Sequence, residues 1–307
     1  MIIKDDIARR QIELFREASK NGVDGTKPFL DLDVAAYRAY RDGESTALPR
    51  PYCNDPVDRA MMTGVKGQNV LCLAGGGGQH SAVFSLLGAR VTVLDLTPEQ
   101  LDSDQLAARH YGYEVTTIQG DMRDLSGLPS SRFARVHQPI STLFIPDLRE
   151  VYAGVVRVLE PGGLYSADFA VPLLYMAEGK GWDGTGYPLR ITEPYIRGAI
   201  LETEEGKVNF SKGQSFAEFH HLLSDIINGL IAEGLRIQGV WENPRPDSAP
   251  SRADPKPGSE EHRERYLPFG LSVVAAKEGR LTKESCDAVP ARMTPDVRHL
   301  LRDDAQG

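Results

Sequence analysis

Of the 307 residues, 41% are apolar and 25% charged, with a mean hydropathy of −0.32, a composition that excludes a disordered chain and suits one elaborated globular domain. A formal net charge of −8 with no Lys/Arg stripe argues against a nucleic acid partner. No apolar run of roughly 18 to 20 residues is present, the opening MIIKDDIARRQIELF is too acidic for a signal peptide, and Cys53, Cys72 and Cys286 lack CxxC spacing, so a cytoplasmic protein without membrane contact, disulfides or a metal is expected.

From the amino end, Ile3, Ile7, Leu14 and Phe15 recur at near-helical spacing and predict an amphipathic helix from about Asp5 to Ser19, ended by Asn21-Gly22. A second helix is predicted around Val34 to Arg41. The prolines of ALPRPYCNDP favour an extended strap. From Asn69 the pattern alternates: strand NVLCLA, a glycine run, a helix from Gln79 to Leu87, strand VTVLD, and a helix opening at Thr97-Pro98. Strands EVTTI and RVHQP follow, then a helix from Asp147 to Leu159, the turn Pro161-Gly162-Gly163 and strand LYSADFAV. Short apolar strands alternating with helices predict a parallel, doubly wound sheet.

After Val171 a Gly/Trp/Tyr/Pro-rich stretch leads to a predicted hairpin turning at Glu205-Gly206, an insertion whose exposed strand surface could support a homodimer. A helix from Ser215 to Glu233 and strand LRIQGVWE come next. A long Pro-rich and charged loop then separates these from the last strand, GLSVVAAK. The predicted organisation is a helical strap over residues 1–68, an α/β domain over 69–277 with an insertion at about 171–214, and a tail over 278–307.

In NVLCLAGGGGQHSAVF a strand runs into four glycines and then a helix, so bare backbone can approach a nucleotide-like ligand. Asp95, at the end of the next strand, lies about 20 residues after Gly75, where a carboxylate can accept both hydroxyls of a ribose. A dinucleotide-binding oxidoreductase has the same pair. Its G-x-G-x-x-G/A spacing fails here, because Gly75-x-Gly77 is followed by His80 and Gly76-x-Gly78 by Ser81.

Taken together, VLCLAGGGGQHSAVFSLLGARVTVLDLTPEQL, IQGDMRDLS and RVLEPGGLYSADF resemble the successive motifs of class I S-adenosylmethionine-dependent methyltransferases, over about Asn69 to Phe169. The resemblance implies a Rossmann-like, doubly wound α/β sheet of seven strands in the order 3-2-1-4-5-7-6. It also implies S-adenosyl-L-methionine as cofactor. Ala74, Gly75 and Gly76 would line its methionine and ribose part, Asp95 would hold the ribose hydroxyls, and Leu96 would pack on adenine. Asp121 and Met122 would meet the adenine amino group and ring face. His137 and Gln138 would face the sulfonium, and Tyr52 would close over the cofactor.

Two positions depart from the family pattern. Where an acidic residue usually helps hold the cofactor's α-amino group the chain has Cys72, and where the first motif glycine stands it has Ala74. Losing the acid lowers the amine's pKa and frees its lone pair, which opens an alternative: cyclisation of S-adenosylmethionine with release of methylthioadenosine. At strand four, His137-Gln138-Pro139-Ile140 replaces the Asn/Asp-Pro-Pro-aromatic motif of base and amide methyltransferases. The favoured function is therefore methylation of a small molecule, in specialised metabolism, with an NAD(P)-dependent oxidoreductase as a separate class. His137 is the candidate catalytic base. Tyr175 is the preferred aromatic partner for the sulfonium.

Overall fold

Apolar runs flanked by turn residues build the centre of the sheet. The structure, a computed structural model, describes residues 5–23, 25–52, 56–171, 177–179, 181–191, 200–201, 218–219, 221–243, 256–259, 262 and 270–278. Helices α1 (Asp6–Lys20), α2 (Val34–Arg41) and α3 (Pro56–Met62) precede the sheet. The first begins where the Asp5 carboxylate accepts from the Ala8 amide at 2.9 Å, a cap that contributes about 1 kcal/mol. α3 is not among the predicted elements and follows the predicted extended strap, taking its last residue, Pro56.

Then come β1 (Asn69–Leu73), α4 (His80–Leu86), β2 (Arg90–Asp95), α5 (Pro98–Tyr111), β3 (Val115–Gln119), β4 (Phe133–Gln138), α6 (Leu148–Val158) and β5 (Leu159–Ala170). The predicted Pro161-Gly162-Gly163 turn is absorbed into β5 as an irregularity, where the pairing with β4 jumps from Phe133–Leu159 to Arg135–Leu164. Four short strands follow, β6 (Ala177–Gly179), β7 (Leu189–Ile191), β8 (Ile200–Leu201) and β9 (Glu218–Phe219), then α7 (Leu223–Ala232), β10 (Leu235–Asn243) and β11 (Gly270–Lys277).

The helix expected from Ser215 begins only at Leu223, because Glu218 and Phe219 pair with β8 instead. The turn at Glu205-Gly206, Tyr175 and the tail after Glu278 lie outside the described residues.

The main sheet has seven strands in the order β3-β2-β1-β4-β5-β11-β10. β6 to β9 form two small sheets apart from it, so β10 and β11 are its sixth and seventh strands in chain order. Pairings from β3 to β5 are parallel, and β11 runs antiparallel between β5 and β10. Alternation along each strand buries both faces. Leu71, Leu73, Val136, Tyr165 and Phe169 pack on Val151, Tyr152 and Val155 of α6 and Ile226 and Leu230 of α7. On the other face Val70, Cys72, Val91 and Val93 meet Val83 and Phe84 of α4, Tyr37 of α2 and Met61 and Met62 of α3. Among the described residues no helix is long and apolar enough to cross a membrane.

Candidate cofactor and acceptor site

β1 delivers the chain into the glycine run at the carboxyl edge of the sheet. Ala74 holds a φ of 47°, a left-handed backbone that costs a residue with a Cβ about 1–2 kcal/mol. Its amide donates to the Leu94 carbonyl at 2.8 Å. The Gly76 amide donates to Asp95 Oδ2 at 3.0 Å, and the Thr97 amide to Asp95 Oδ1 at 2.9 Å. A Cβ on Gly76 would stand 2.8 Å from Asp95 Oδ2, so only glycine allows this approach. Burial pushes the Asp95 carboxyl up to about 6, against the backbone N–H groups of Thr97, Gly76 and Leu96 that favour its charge.

Beneath the loop, Asp104 of α5 is fully buried. Its Oδ1 accepts from the Gly78 amide at 3.1 Å and from the Ser81 hydroxyl. From the strap, the Phe29 amide donates to the Gly78 carbonyl at 3.3 Å, and Lys27 accepts through its carbonyl from Gln79 Nε2 at 2.9 Å. Residues 25–29 thus lie along the glycine loop.

After β3, Asp121 is engaged by its neighbour. Arg123 donates to it through its amide at 2.9 Å, Nε at 3.0 Å and Nη2 at 2.6 Å. The same guanidinium reaches Asp5 through Nη1 at 2.7 Å, latching the start of α1 to this motif. Burial opposes the Arg123 charge, but the bonds to Asp121 and Asp5 outweigh it and hold the guanidinium above its ordinary range.

Successive residues of β4 diverge. Gln138 points to the α6 face, where Nε2 donates to Met122 Sδ at 3.2 Å and to Ser141 Oγ at 3.1 Å, and Oε1 accepts from Tyr165 at 2.6 Å. His137 faces the α4 side, in register with Cys72. Its Nδ1 lies 2.8 Å from Ser166 Oγ, and its ring packs on Phe84 at 5.6 Å and on His80 at 4.6 Å between centroids. Tyr52 flanks His80 at 6.3 Å. Burial first, then nearby acids including Asp58 and Asp168, push the Tyr52 hydroxyl far above its usual value, so it remains a protonated donor.

The structure therefore brings His137, His80 and Tyr52 together and directs Gln138 to the opposite face with Met122. It also adds groups that the motif reading missed. Ser166 and Asp168 share a face of β5, and Asp168 accepts from the Ser272 hydroxyl of β11. Their signal was present as period-two alternation with Tyr165, Ala167 and Phe169. Among the described residues no His/Cys/Asp/Glu group could hold a metal.

A glycine loop at the end of the first strand, facing a carboxylate at the end of the second in a 3-2-1-4-5 sheet, defines an α/β protein that binds a nucleoside-containing cofactor. Comparison with known proteins narrows this. A family profile described as "Methyltransferase domain" matches residues 70–163. An uncharacterised methyltransferase, YbaJ of Bacillus subtilis, is 31% identical over 179 residues, 58% of this chain and 70% of the relative. The cypemycin N-terminal methyltransferase of a Streptomyces species is 31% identical over 127 residues, but only half of its length is covered.

Among solved structures, an S-adenosylmethionine-dependent methyltransferase from Mesorhizobium loti superposes with a TM-score of 0.58 at 23% identity, covering 72% of this chain and 96% of that one. The geranyl diphosphate C-methyltransferase of Streptomyces coelicolor gives 0.53 at 14% identity, covering 90% and 100%. The chain belongs to the class I S-adenosylmethionine-dependent methyltransferases, with S-adenosylmethionine as cofactor. This overturns the oxidoreductase reading.

Proposed function

We propose that this enzyme methylates a small metabolite bound between the carboxyl ends of β4 and β5 and the strap residue Tyr52. The observation that carries the reading is the polar row of His137, Ser166 and Asp168 on one sheet face, with α3 packed across β5 and β11. Cover of this kind suits a small acceptor better than a nucleic acid or a folded protein. The net charge of −8 supports the same choice. The proposal extends to a cytoplasmic setting in specialised metabolism, without nucleic acid or membrane partners, and to a homodimer.

The residues fit the cofactor. Asp95 keeps lone pairs beyond those taken by Gly76 and Thr97, enough to accept two ribose hydroxyls. Ala74, Gly75 and Gly76 present bare backbone alongside, and Leu96 and Met122 supply apolar faces for adenine. Asp121 reaches the adenine amino group only through lone pairs that Arg123 leaves. Gln138 acts by holding Met122. Tyr175 is proposed as an aromatic wall near the sulfonium.

When bound, the cofactor supplies an electrophilic methyl group. His137 then takes the proton of the acceptor's hydroxyl or amine on its second nitrogen while Ser166 fixes the ring. Tyr52 excludes water.

Incubating the purified protein with S-adenosylmethionine, alone and with a metabolite extract, tests the reading by mass spectrometry. S-adenosylhomocysteine formed only when extract is present is the expected result. Enzyme-dependent methylthioadenosine with a new small amino acid, formed without extract, would replace methylation by cyclisation.

A further inference from the structure

The sheet order fixes where each end of the cofactor must go. Asp95 ends β2, and the adenine groups Asp121 and Met122 follow β3, both on one side of β1. A ligand with its ribose on Asp95 and its base toward β3 therefore extends its other end across Gly75 toward β4. Two strand spacings separate β2 from β4, about 10 Å, and the group standing there is the His80–His137 pair.

His80 Nδ1 is buried with no hydrogen-bond partner among the described residues. It lies 3.8 Å from where a Cβ on Gly75 would stand. An unsatisfied buried acceptor or donor destabilises the fold, and a ligand group at this point would satisfy it. Of the carboxylates on this face, Asp168 of β5 is engaged by the Ser272 hydroxyl. Cys72 and His137 occupy the paired positions of β1 and β4, and Ser166 is engaged by His137.

Building on the cofactor site proposed above, we infer that His80 holds the amino-acid end of S-adenosylmethionine, its Nδ1 accepting a hydrogen bond from the α-ammonium group. Burial pulls the imidazole down to about 4, opposed by a ring N–H that donates to the Gly75 backbone, so the ring is neutral near pH 7, with one nitrogen as that donor and the other keeping a lone pair to offer. The acidic partner missing at Cys72 is replaced by a neutral one. An imidazole stabilises an ammonium less than a carboxylate does, so the bound amine loses its proton more readily.

The test compares two ligands that differ in this end alone. S-adenosylhomocysteine carries the amino-acid group, whereas 5′-methylthioadenosine lacks it. His80→Phe keeps a ring against His137 and Tyr52 but removes both nitrogens. By calorimetry it is expected to weaken S-adenosylhomocysteine roughly 10- to 100-fold, the range for a hydrogen bond to a charged group, and to leave methylthioadenosine unchanged. His80→Asn, which places an amide oxygen near the Nδ1 position, is expected to restore most of the affinity.

Equal weakening of both ligands would make His80 a support of the glycine loop and overturn the assignment, as would no change in either. A second measurement needs no variant: in 15N-histidine-labelled wild-type protein, the His80 Nδ1 resonance moves with S-adenosylhomocysteine and not with methylthioadenosine. A resonance indifferent to both overturns the inference. Wild-type protein that binds neither ligand would refute the cofactor site itself, a different result from loss of the His80 effect alone.

Discussion

Asp104→Asn isolates a buried charge beneath the glycine loop. Burial pushes the Asp104 carboxyl up to about 7 from an ordinary 3.8, helped by the Asp95 charge and opposed by bonds from Ser81, Gly78 and Gly77. Its Oδ2 has no hydrogen-bond partner among the described residues. Between those two values the folded protein holds a proton that the unfolded chain has released, so stability falls as pH rises, by about 1.4 kcal/mol per unit. Roughly three units give about 4 kcal/mol, present below pH 4 and lost by pH 7. Asparagine cannot ionise, so the variant escapes this loss. Asp95, raised in the same sense, is present in both proteins and largely cancels. Urea unfolding followed by circular dichroism, at steps from about pH 4 to about pH 8, should show the variant gaining on wild type by about 4 kcal/mol. Parallel stability curves would refute the argument.

Three further perturbations probe the site. Asp95→Ala removes the proposed ribose acceptor and should weaken S-adenosylhomocysteine at least tenfold by calorimetry; unchanged affinity in a folded variant would sink that role. Arg123→Met strands the Asp121 carboxylate in a buried position and should cost about 3–5 kcal/mol in chemical unfolding, largely recovered by adding Asp121→Asn. A cost below about 1 kcal/mol would show that the pair contributes little. Gly78→Ala places a Cβ 2.5 Å from the Ser103 carbonyl at a φ of 75°, so unfolding should show a loss above the roughly 1–2 kcal/mol of left-handed strain alone. Wild-type stability would refute the packing described for the loop.

The repeating units from Asn69 to Ala170 were legible because each strand is an apolar run closed by a turn signal. The glycine run and Asp95 were legible because their spacing is local to one βα unit. α3 was missed although Asp55-Pro56 is itself a helix-start signal, since the prolines before it dominated the reading. Phe219 and Glu218 looked helical, and only pairing with distant Ile200 and Leu201 sets them as strand. Asp104 was invisible for the same reason, its partner Gly78 lying 26 residues away; Arg123 stands two residues from Asp121, but its other partner, Asp5, is 118 residues away. His137 and Gln138 read as one motif, but the pleat sends them to opposite faces. Ser166 and Asp168 carried only their alternation along β5, and the sheet alone brings them to His137 and Ser272.

The placement of β11 also dictates an order of assembly. β10 is made before β11, yet among the described residues its only neighbour in the sheet is β11, which also completes β5. While the chain between residues 243 and 270 is being made, β10 has no strand to join, and β5 presents a bare edge. The parallel strands β1 to β5 can pair early. The final edge must wait for almost the last described residues, and Val240, still 42% exposed in the finished fold, belongs to the strand that waits. On the ribosome this interval is when the protein is most open to mispairing, and a chain released before residue 277 would hold its nucleotide loop on an unfinished sheet.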